Sequence, residues 1–234
     1  MPRALELLIA LAALAVLSPL IAAVAVVNWA LTRRVLFRQT RLGRGLAPFV
    51  MLKFQTMVDS SGGGTVTVAD DPRLTVIGKA LRTVKLDELP QLVNVIRGEM
   101  ALVGPRALPA SEWARIPGEL AARVTRVRPG MTGLATLALA DEERRLAALS
   151  DPEEIYFREL LPRKMALEAV YAARRTIGLD LLLLALTPLA VVAPGLCRSL
   201  LRRVLPETAA LAAAAEEGLP GARSGHATVA PGGR

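Results

Sequence analysis

The dominant feature of the hydrophobic pattern is a long apolar stretch, Leu7 to Val27, reading "LLIALAALAVLSPLIAAVAVV". Its about 21 residues would run roughly 31 Å as a straight helix, enough for one bilayer core. A membrane helix is therefore expected near the start of the chain. A cleaved signal peptide is the competing reading, but its basic end would precede the apolar run. Here Arg3 stands nearly alone before it, while Arg33, Arg34, Arg38, Arg41 and Arg44 follow. Those arginines assign the C-terminal side of the helix to the cytoplasm. Ser18-Pro19 interrupts the run near its middle. Pro19 lacks an N–H and crowds the carbonyl four residues back, so a bend is expected there, with the freed backbone group satisfied by the Ser18 hydroxyl or a neighbouring segment. Composition alone favours an ordinary kinked helix that spans the bilayer.

Beyond the arginines the apolar runs shorten. "APFVMLKFQTM" has the Phe, Val, Met and Thr content of a strand and is expected to pair with "GTVTV" across the flexible "SSGGG". The next stretch, "DDPRLTVIGKALRTVKLDELPQLVNVIRGEM", reads as a polar turn followed by two short helices. The second carries Leu86, Leu89, Leu92, Val93 and Ile96 on one face and keeps Gln91 and Asn94 on its polar face. "LVGPRALP" and "VRPGMTGLA" read as loops with the Gly/Pro punctuation of backbone that approaches a ligand closely. Each contains an arginine. "FRELLPRKMALEAVYAARR" predicts a basic helix, followed by an apolar run from Leu179 to Leu196 that opens with Asp180 and is broken by Pro188 and Pro194. A helix lying in the membrane interface and a second span both fit that run. From Pro206 onward the chain is small-residue and low-complexity, a disordered tail by composition.

Composition sharpens this outline. The 234 residues are 53% hydrophobic but only 3% aromatic, with a formal net charge of +8. Such a charge suits nucleic acid or the anionic face of a bilayer. The few aromatic residues do not interleave with the basic ones, so no base-stacking platform is visible, and the membrane is the expected partner. Cys197 is the sole cysteine and His226, in the tail, the sole histidine. That excludes an intrachain disulfide, a cysteine metal cage and a histidine base. Any chemistry must rest on carboxylates, Lys and Arg.

The candidate for it is Asp87-Glu88, ahead of the second short helix. An acid there caps the helix or complements its dipole, and alone the pair would be structural. Its company suggests more: Arg82 and Lys85 stand just upstream, and Arg106 and Arg128 lie on Gly/Pro loops downstream. Carboxylates, cations and helix-terminal amide donors together suggest phosphate chemistry.

These residues resemble a known family, the bacterial sugar transferases, specifically the small form of the monotopic polyprenyl-phosphate phosphoglycosyl transferases. The matching pieces are "LSP" in the membrane helix, "FRQTRLGRGLAPFVMLKFQTM", "DPRLTVIGKALRTVKLDELPQLVNVIRGEMALVGPR", "RPGMTGL" and, more weakly, "LPRKMALEAVY" with "LDLLLL". The resemblance implies transfer of a sugar-1-phosphate from a UDP-sugar to undecaprenyl phosphate, with release of UMP and a covalent aspartyl-phosphosugar intermediate. Asp87 maps onto the family's nucleophile and Glu88 onto its magnesium-holding carboxylate. Arg82 and Arg106 map onto phosphate-binding arginines, and Arg128 fits the same electrostatic role. Lys53 and Asp180 occupy family positions too, Lys53 with the phosphate-binding set and Asp180 as active-site support.

The implied fold is an α-rich α+β membrane protein with interfacial helices and a small β element. Its N-terminal helix (1–32) would be re-entrant, breaking at Ser18-Pro19, which reverses the reading from composition. The transferase domain (33–205) would lie on the cytoplasmic face of the bacterial inner membrane, followed by the tail (206–234). Expected partners are a UDP-sugar, polyprenyl phosphate, Mg2+ and phospholipid, with no nucleic acid; a homo-oligomer is compatible with the reading. Two pieces depart from the family pattern. Gln55 stands where relatives usually carry Arg, and "ATLALADEERRLAALSDPEE" replaces an Asn/Gly/Arg-containing loop where sugar recognition is expected. The competing reading from another class is a catalytically inactive membrane scaffold with the same fold.

Overall fold

The computed structural model describes residues 1–58, 71–140, 142, 146–147 and 149–206. The apolar run forms one helix, α1 (Arg3–Thr32), which closes at Arg33 in a left-handed conformation. It is the one described helix long and apolar enough to cross a membrane, with a mean hydropathy of 2.7 over its most apolar window. At its centre the Ser18 hydroxyl donates to the Ala15 carbonyl at 2.8 Å. That carbonyl is the one Pro19 leaves without its N–H, so serine repairs the defect proline creates.

Both ends of α1 are fastened to the rest of the protein. Near the start, Glu6 and Ala10 are fully buried. Glu6 accepts from Arg3 at 2.9 Å, from Arg128 at 2.7 Å and from the Leu102 N–H at 3.2 Å. Near the end, Val24 packs with Phe54 and Leu81, and buried Asn28 donates to the Gln55 carbonyl at 2.8 Å. Between them Val16 and Leu20 face outward.

Strands β1 (Leu36–Leu42) and β2 (Pro48–Phe54) pair antiparallel, from Leu36 opposite Phe54 to Leu42 opposite Pro48. The partner of β2 is thus the segment before it, and the expected pairing with "GTVTV" falls on residues outside those described. The strand pattern of β1 is hard to see because four of its seven residues, Arg38 to Arg41, are polar. After β2, Thr75 caps α2 (Val76–Thr83) by accepting from the Gly78 N–H at 2.9 Å. A Cβ on Gly78 would lie 2.1 Å from the Thr56 carbonyl, so only glycine lets α2 sit this close to the exit of β2.

A 3₁₀ turn (Leu86–Glu88) leads into α3 (Gln91–Arg97). The polar face expected on α3 is in fact buried. Asn94 is wholly enclosed, donating to the Val50 carbonyl at 2.7 Å and accepting from the Leu52 N–H at 3.0 Å. Its amide thus completes the free edge of β2, which would otherwise bury unpaired backbone groups. Strands β3 (Ala101–Val103) and β4 (Gly130–Thr132) pair parallel, with Ala101 opposite Gly130 and Val103 opposite Thr132. The two segments expected to be loops thus contain strand residues, the first at its start and the second at its middle, in strands of three residues that are too short to show a period. Between them lie α4 (Ala110–Trp113) and α5 (Gly118–Val124); α6 (Leu134–Ala138) follows β4.

Further on, α7 (Pro152–Ile155) runs through a π-helical turn into α8 (Leu161–Arg174), then α9 (Ile177–Val192) and α10 (Pro194–Val204). The apolar run after Asp180 is thus split by Pro194 into two helices. α9 carries Pro188 inside it and buries Leu179, Leu183 and Leu186 in the main core with Leu92, Val95, Met100 and Tyr171. A second core joins Trp113, Ile116, Leu160, Leu161 and Met165 under α5 and α8.

Candidate active site

Lys85 adopts a left-handed backbone (φ 59°, ψ 20°), uncommon for a residue with a Cβ, and turns the chain sharply out of α2 into the 3₁₀ turn. This presents Asp87 and Glu88 toward the hairpin. Direct cross-strand partners share a sheet face, so the register that sets Phe37 opposite Lys53, Gln39 opposite Met51 and Arg41 opposite Phe49 gives the hairpin one continuous inner face. From that face Arg41, Met51 and Lys53 line a cleft with Glu88, Gln91 and Arg106.

Asp87 is 3% exposed, and its Oδ1 is buried with no hydrogen-bond partner among the described residues. Burial and the neighbouring Glu88 push its pKa above the ordinary carboxylate value, while Lys53, Arg82 and Lys85 pull it back. Glu88 goes the other way. Burial raises its pKa, but Arg106, Lys53, Lys85 and Arg82 together outweigh it and hold the carboxyl below its usual range. Arg106 approaches Glu88 at 3.6 Å. Burial, with help from Arg106, lowers the Lys53 pKa to about 8, and Arg41 is lowered to about 10 by the same two causes. The arrangement is two adjacent carboxylates facing a crowd of cations that repel one another. Cations gathered beside carboxylates in one cleft suit a diphosphate, whose oxygens they can bind.

Among the residues the sequence singled out, Asp87, Glu88, Lys53, Arg82 and Arg106 act on one another at this site. Two others lie elsewhere. Arg128 gives its guanidinium to Glu6 and to the Met100 carbonyl, the latter at 3.3 Å, so it braces the start of α1. Asp180 is fully buried, accepting from the Tyr171 hydroxyl at 2.6 Å, from Arg175 at 3.3 Å and from the Met1 amino group. The Tyr171 hydroxyl, with its one hydrogen, also lies 3.0 Å from the Val103 carbonyl, so the Tyr171–Asp180 pair abuts β3 ahead of the Gly104–Arg106 loop. Gln55, the departure from the family pattern, donates to the Met57 carbonyl and is buried at the exit of β2.

Arg41 was missed: among the arginines after the apolar run it reads as a topology charge. The signal was the alternation of Gln39 and Arg41 on one strand face, legible only once β1 is paired. Magnesium fits the donor set, since Asp87 and Glu88 offer hard carboxylate oxygens and one of them is unpartnered. Among the described residues no three Asp, Glu, His or Cys side chains converge, so a magnesium ion here would need oxygens from a phosphorylated substrate as well.

A sequence model described as bacterial sugar transferase matches residues 1–194. Over 106 residues the chain is 53% identical to a UDP-glucose:undecaprenyl-phosphate glucose-1-phosphate transferase of Caulobacter vibrioides, a match covering 43% of this chain and 39% of that one. It is 37% identical over 150 residues to the exopolysaccharide production protein ExoY of Sinorhizobium fredii, covering 56% and 66%. It is also 36% identical over 138 residues to a UDP-N-acetylgalactosamine-undecaprenyl-phosphate N-acetylgalactosaminephosphotransferase of Aeromonas hydrophila, covering 57% and 33%. The chain thus spans less than two thirds of the length of each of these relatives. The family match, however, takes in the long apolar helix α1, the inner face of the hairpin, the carboxylate pair and the Gly104–Arg106 loop together: the chain belongs to the bacterial sugar transferase family.

Proposed function

We propose that this protein transfers a sugar-1-phosphate from a UDP-sugar to a polyprenyl phosphate such as undecaprenyl phosphate, releasing UMP. The observation that carries the reading is Asp87, a buried carboxylate with an unpartnered oxygen beside Glu88, Lys53, Arg82 and Lys85. An Asp87 oxygen attacks the phosphorus that bears the sugar; the bond from that phosphorus to the UMP oxygen breaks, and UMP leaves. A phosphate oxygen of the lipid then attacks the same phosphorus, the acyl-phosphate bond breaks, and Asp87 is restored. Phosphoryl transfer needs positioning and charge neutralisation more than a strong base, which suits a site without histidine. Lys53, Arg82 and Arg106 hold the donor's phosphate oxygens, and Arg41 joins them from β1. Glu88 would hold a magnesium ion, which when bound would add to the neutralisation of the diphosphate.

The same reading places the site at the cytoplasmic face of the bacterial inner membrane, with α1 entering and leaving by one leaflet. Support comes from the double fastening of α1. Glu6 and Asn28 stand about 22 residues apart, roughly 33 Å along a straight helix, yet both bond to the one domain. A helix crossing the bilayer would carry one of those polar ends to the far side, away from its partners. The test is UMP release by membrane-reconstituted protein across a panel of UDP-sugars, with mass spectrometry of protein incubated with donor and no lipid acceptor. A sugar-phosphate adduct on the peptide containing Asp87 supports the mechanism. No release with any donor would defeat it in favour of a non-catalytic membrane scaffold.

A further inference from the structure

Glu168, on α8, is wholly buried and takes no part in the chemistry above. Its Oε1 accepts from the Ala135 N–H at 3.3 Å, in the first turn of α6. The same carboxyl faces the backbone N–H of Arg106. A Cβ added to Gly133 would stand 3.1 Å from that Oε1 and 2.3 Å from the Gly104 carbonyl, so the carboxyl and the two glycine loops are packed without spare room. Oε2 is buried with no hydrogen-bond partner among the described residues. Burial raises the Glu168 pKa to about 8, so the group is largely a neutral acid at pH 7. An apolar side chain would fill this place in the core without leaving an oxygen unsatisfied. What it could not do is bind the backbone of two loops at once.

We propose that Glu168 is the positioning residue for Arg106: its carboxyl clamps the Gly104–Arg106 loop to the start of α6 and so fixes where the Arg106 guanidinium meets the donor's phosphates. The clamp rests on the Ala135 hydrogen bond, the close packing of Gly133 between Glu168 and Gly104, and the facing Arg106 N–H; its effect on the donor rests on the transferase reading. Lys164, one turn earlier on α8, does not substitute for it, because its ammonium is held by Glu142 at 2.7 Å.

The test compares Glu168→Leu, which keeps bulk and removes both oxygens, with Glu168→Gln, which keeps a carbonyl and replaces the acid hydroxyl by an amide. Hydrogen exchange read by mass spectrometry should accelerate at least about tenfold in Glu168→Leu, in peptides covering 101–108 and 130–138 and not in the β1–β2 hairpin. Glu168→Gln should keep wild-type exchange. Unchanged exchange in Glu168→Leu overturns the clamp whatever the protein catalyses. Should Glu168→Leu fail to fold, Glu168→Asp, one methylene short of both loops, provides the same reading. In kinetics, Glu168→Leu should lower kcat/KM for the UDP-sugar about 100-fold, chiefly through KM. In an Arg106→Ala background the same change should cost less than about threefold, as expected when one residue acts through the other. Additive losses overturn the link to Arg106. Absence of UMP release by the wild type would instead overturn the transferase reading and leave the exchange result to decide the clamp.

Discussion

Glu6, in the first turn of α1, and Asp87, on the 3₁₀ turn after Lys85, are both buried carboxylates with basic side chains nearby, but their oxygens are treated differently. Glu6 is matched: Arg3, Arg128 and the Leu102 N–H all donate to it, and its surroundings need nothing from outside. Asp87 is surrounded but not matched. Lys53, Arg82 and Lys85 act on it through space while its Oδ1 lacks a hydrogen-bond partner among the described residues. Burial without partners costs free energy, and folding tolerates such costs mainly where a ligand or a reaction uses the group. Positive charge near a buried acid therefore does not identify a reactive site. At Asp87 the cations act on a carboxylate whose Oδ1 makes no hydrogen bond among the described residues, whereas at Glu6 they are its hydrogen-bond donors. The same contrast separates Arg106, which faces Glu88 across the cleft, from Arg128, which the sequence alone ranked beside it and which belongs to the joint at Glu6.

The contrast can be tested from either side. The largest effect is expected for Asp87→Asn, which should lower UMP release by at least about 10⁴-fold, because an amide cannot form the acyl-phosphate. Its melting temperature should stay the same or rise, since a buried, unmatched carboxylate beside Glu88 is being neutralised. A large loss of stability would mean that Asp87, like Glu6, is a structural acid. Next comes chelation: excess EDTA should reduce turnover to background and magnesium or manganese should restore it, whereas full turnover in EDTA would remove Glu88 from a metal-binding role. Glu6→Leu should give the converse of Asp87→Asn, a loss of about 3–5 kcal/mol in thermal or denaturant unfolding, because Arg3 and Arg128 are left without their common partner. Little change in the unfolding midpoint would show that the joint is not held by charge matching. The smallest effect is expected at Glu154 and Arg158, an exposed pair 2.7 Å apart with side chains 59% and 62% accessible. Arg158→Ala should move stability by no more than about 0.5 kcal/mol, which sets the baseline for an ion pair in water.

The sequence exposed those parts of the protein whose information is local. The apolar run with its Ser18-Pro19 break, the helices on either side of Asp87-Glu88, and the cations gathered around them were all visible, because period, turn chemistry and motif spacing are properties of a few neighbouring residues. The parallel pairing of Ala101–Val103 with Gly130–Thr132 was not, since each strand is three residues long and its partner lies a whole pair of helices away. β1 was hidden for a different reason. Four consecutive positions, Arg38 to Arg41, are polar on both faces, so the alternation that reveals a half-buried strand is blurred. Asn94 misled because asparagine on an amphipathic helix is expected to face water, and only the position of β2 shows that its amide replaces a missing strand. Glu6 and Asn28 bracket the apolar run in plain sight. Their pairing with distant backbone groups, and Arg128's with Glu6, exist only in the folded chain.

The glycines of the two loops that meet at Glu168 bear on how a member of this family can be re-engineered. A side chain at Gly104 would stand 2.4 Å from the Arg128 carbonyl, at Gly130 2.0 Å from the Gly104 nitrogen, and at Gly133 2.3 Å from the Gly104 carbonyl. The obstacles are backbone in each case, so no rotamer change can relieve them. A mutant library aimed at donor preference that randomises these three codons will therefore consist mostly of unfolded protein, and its hit rate will measure stability rather than selectivity.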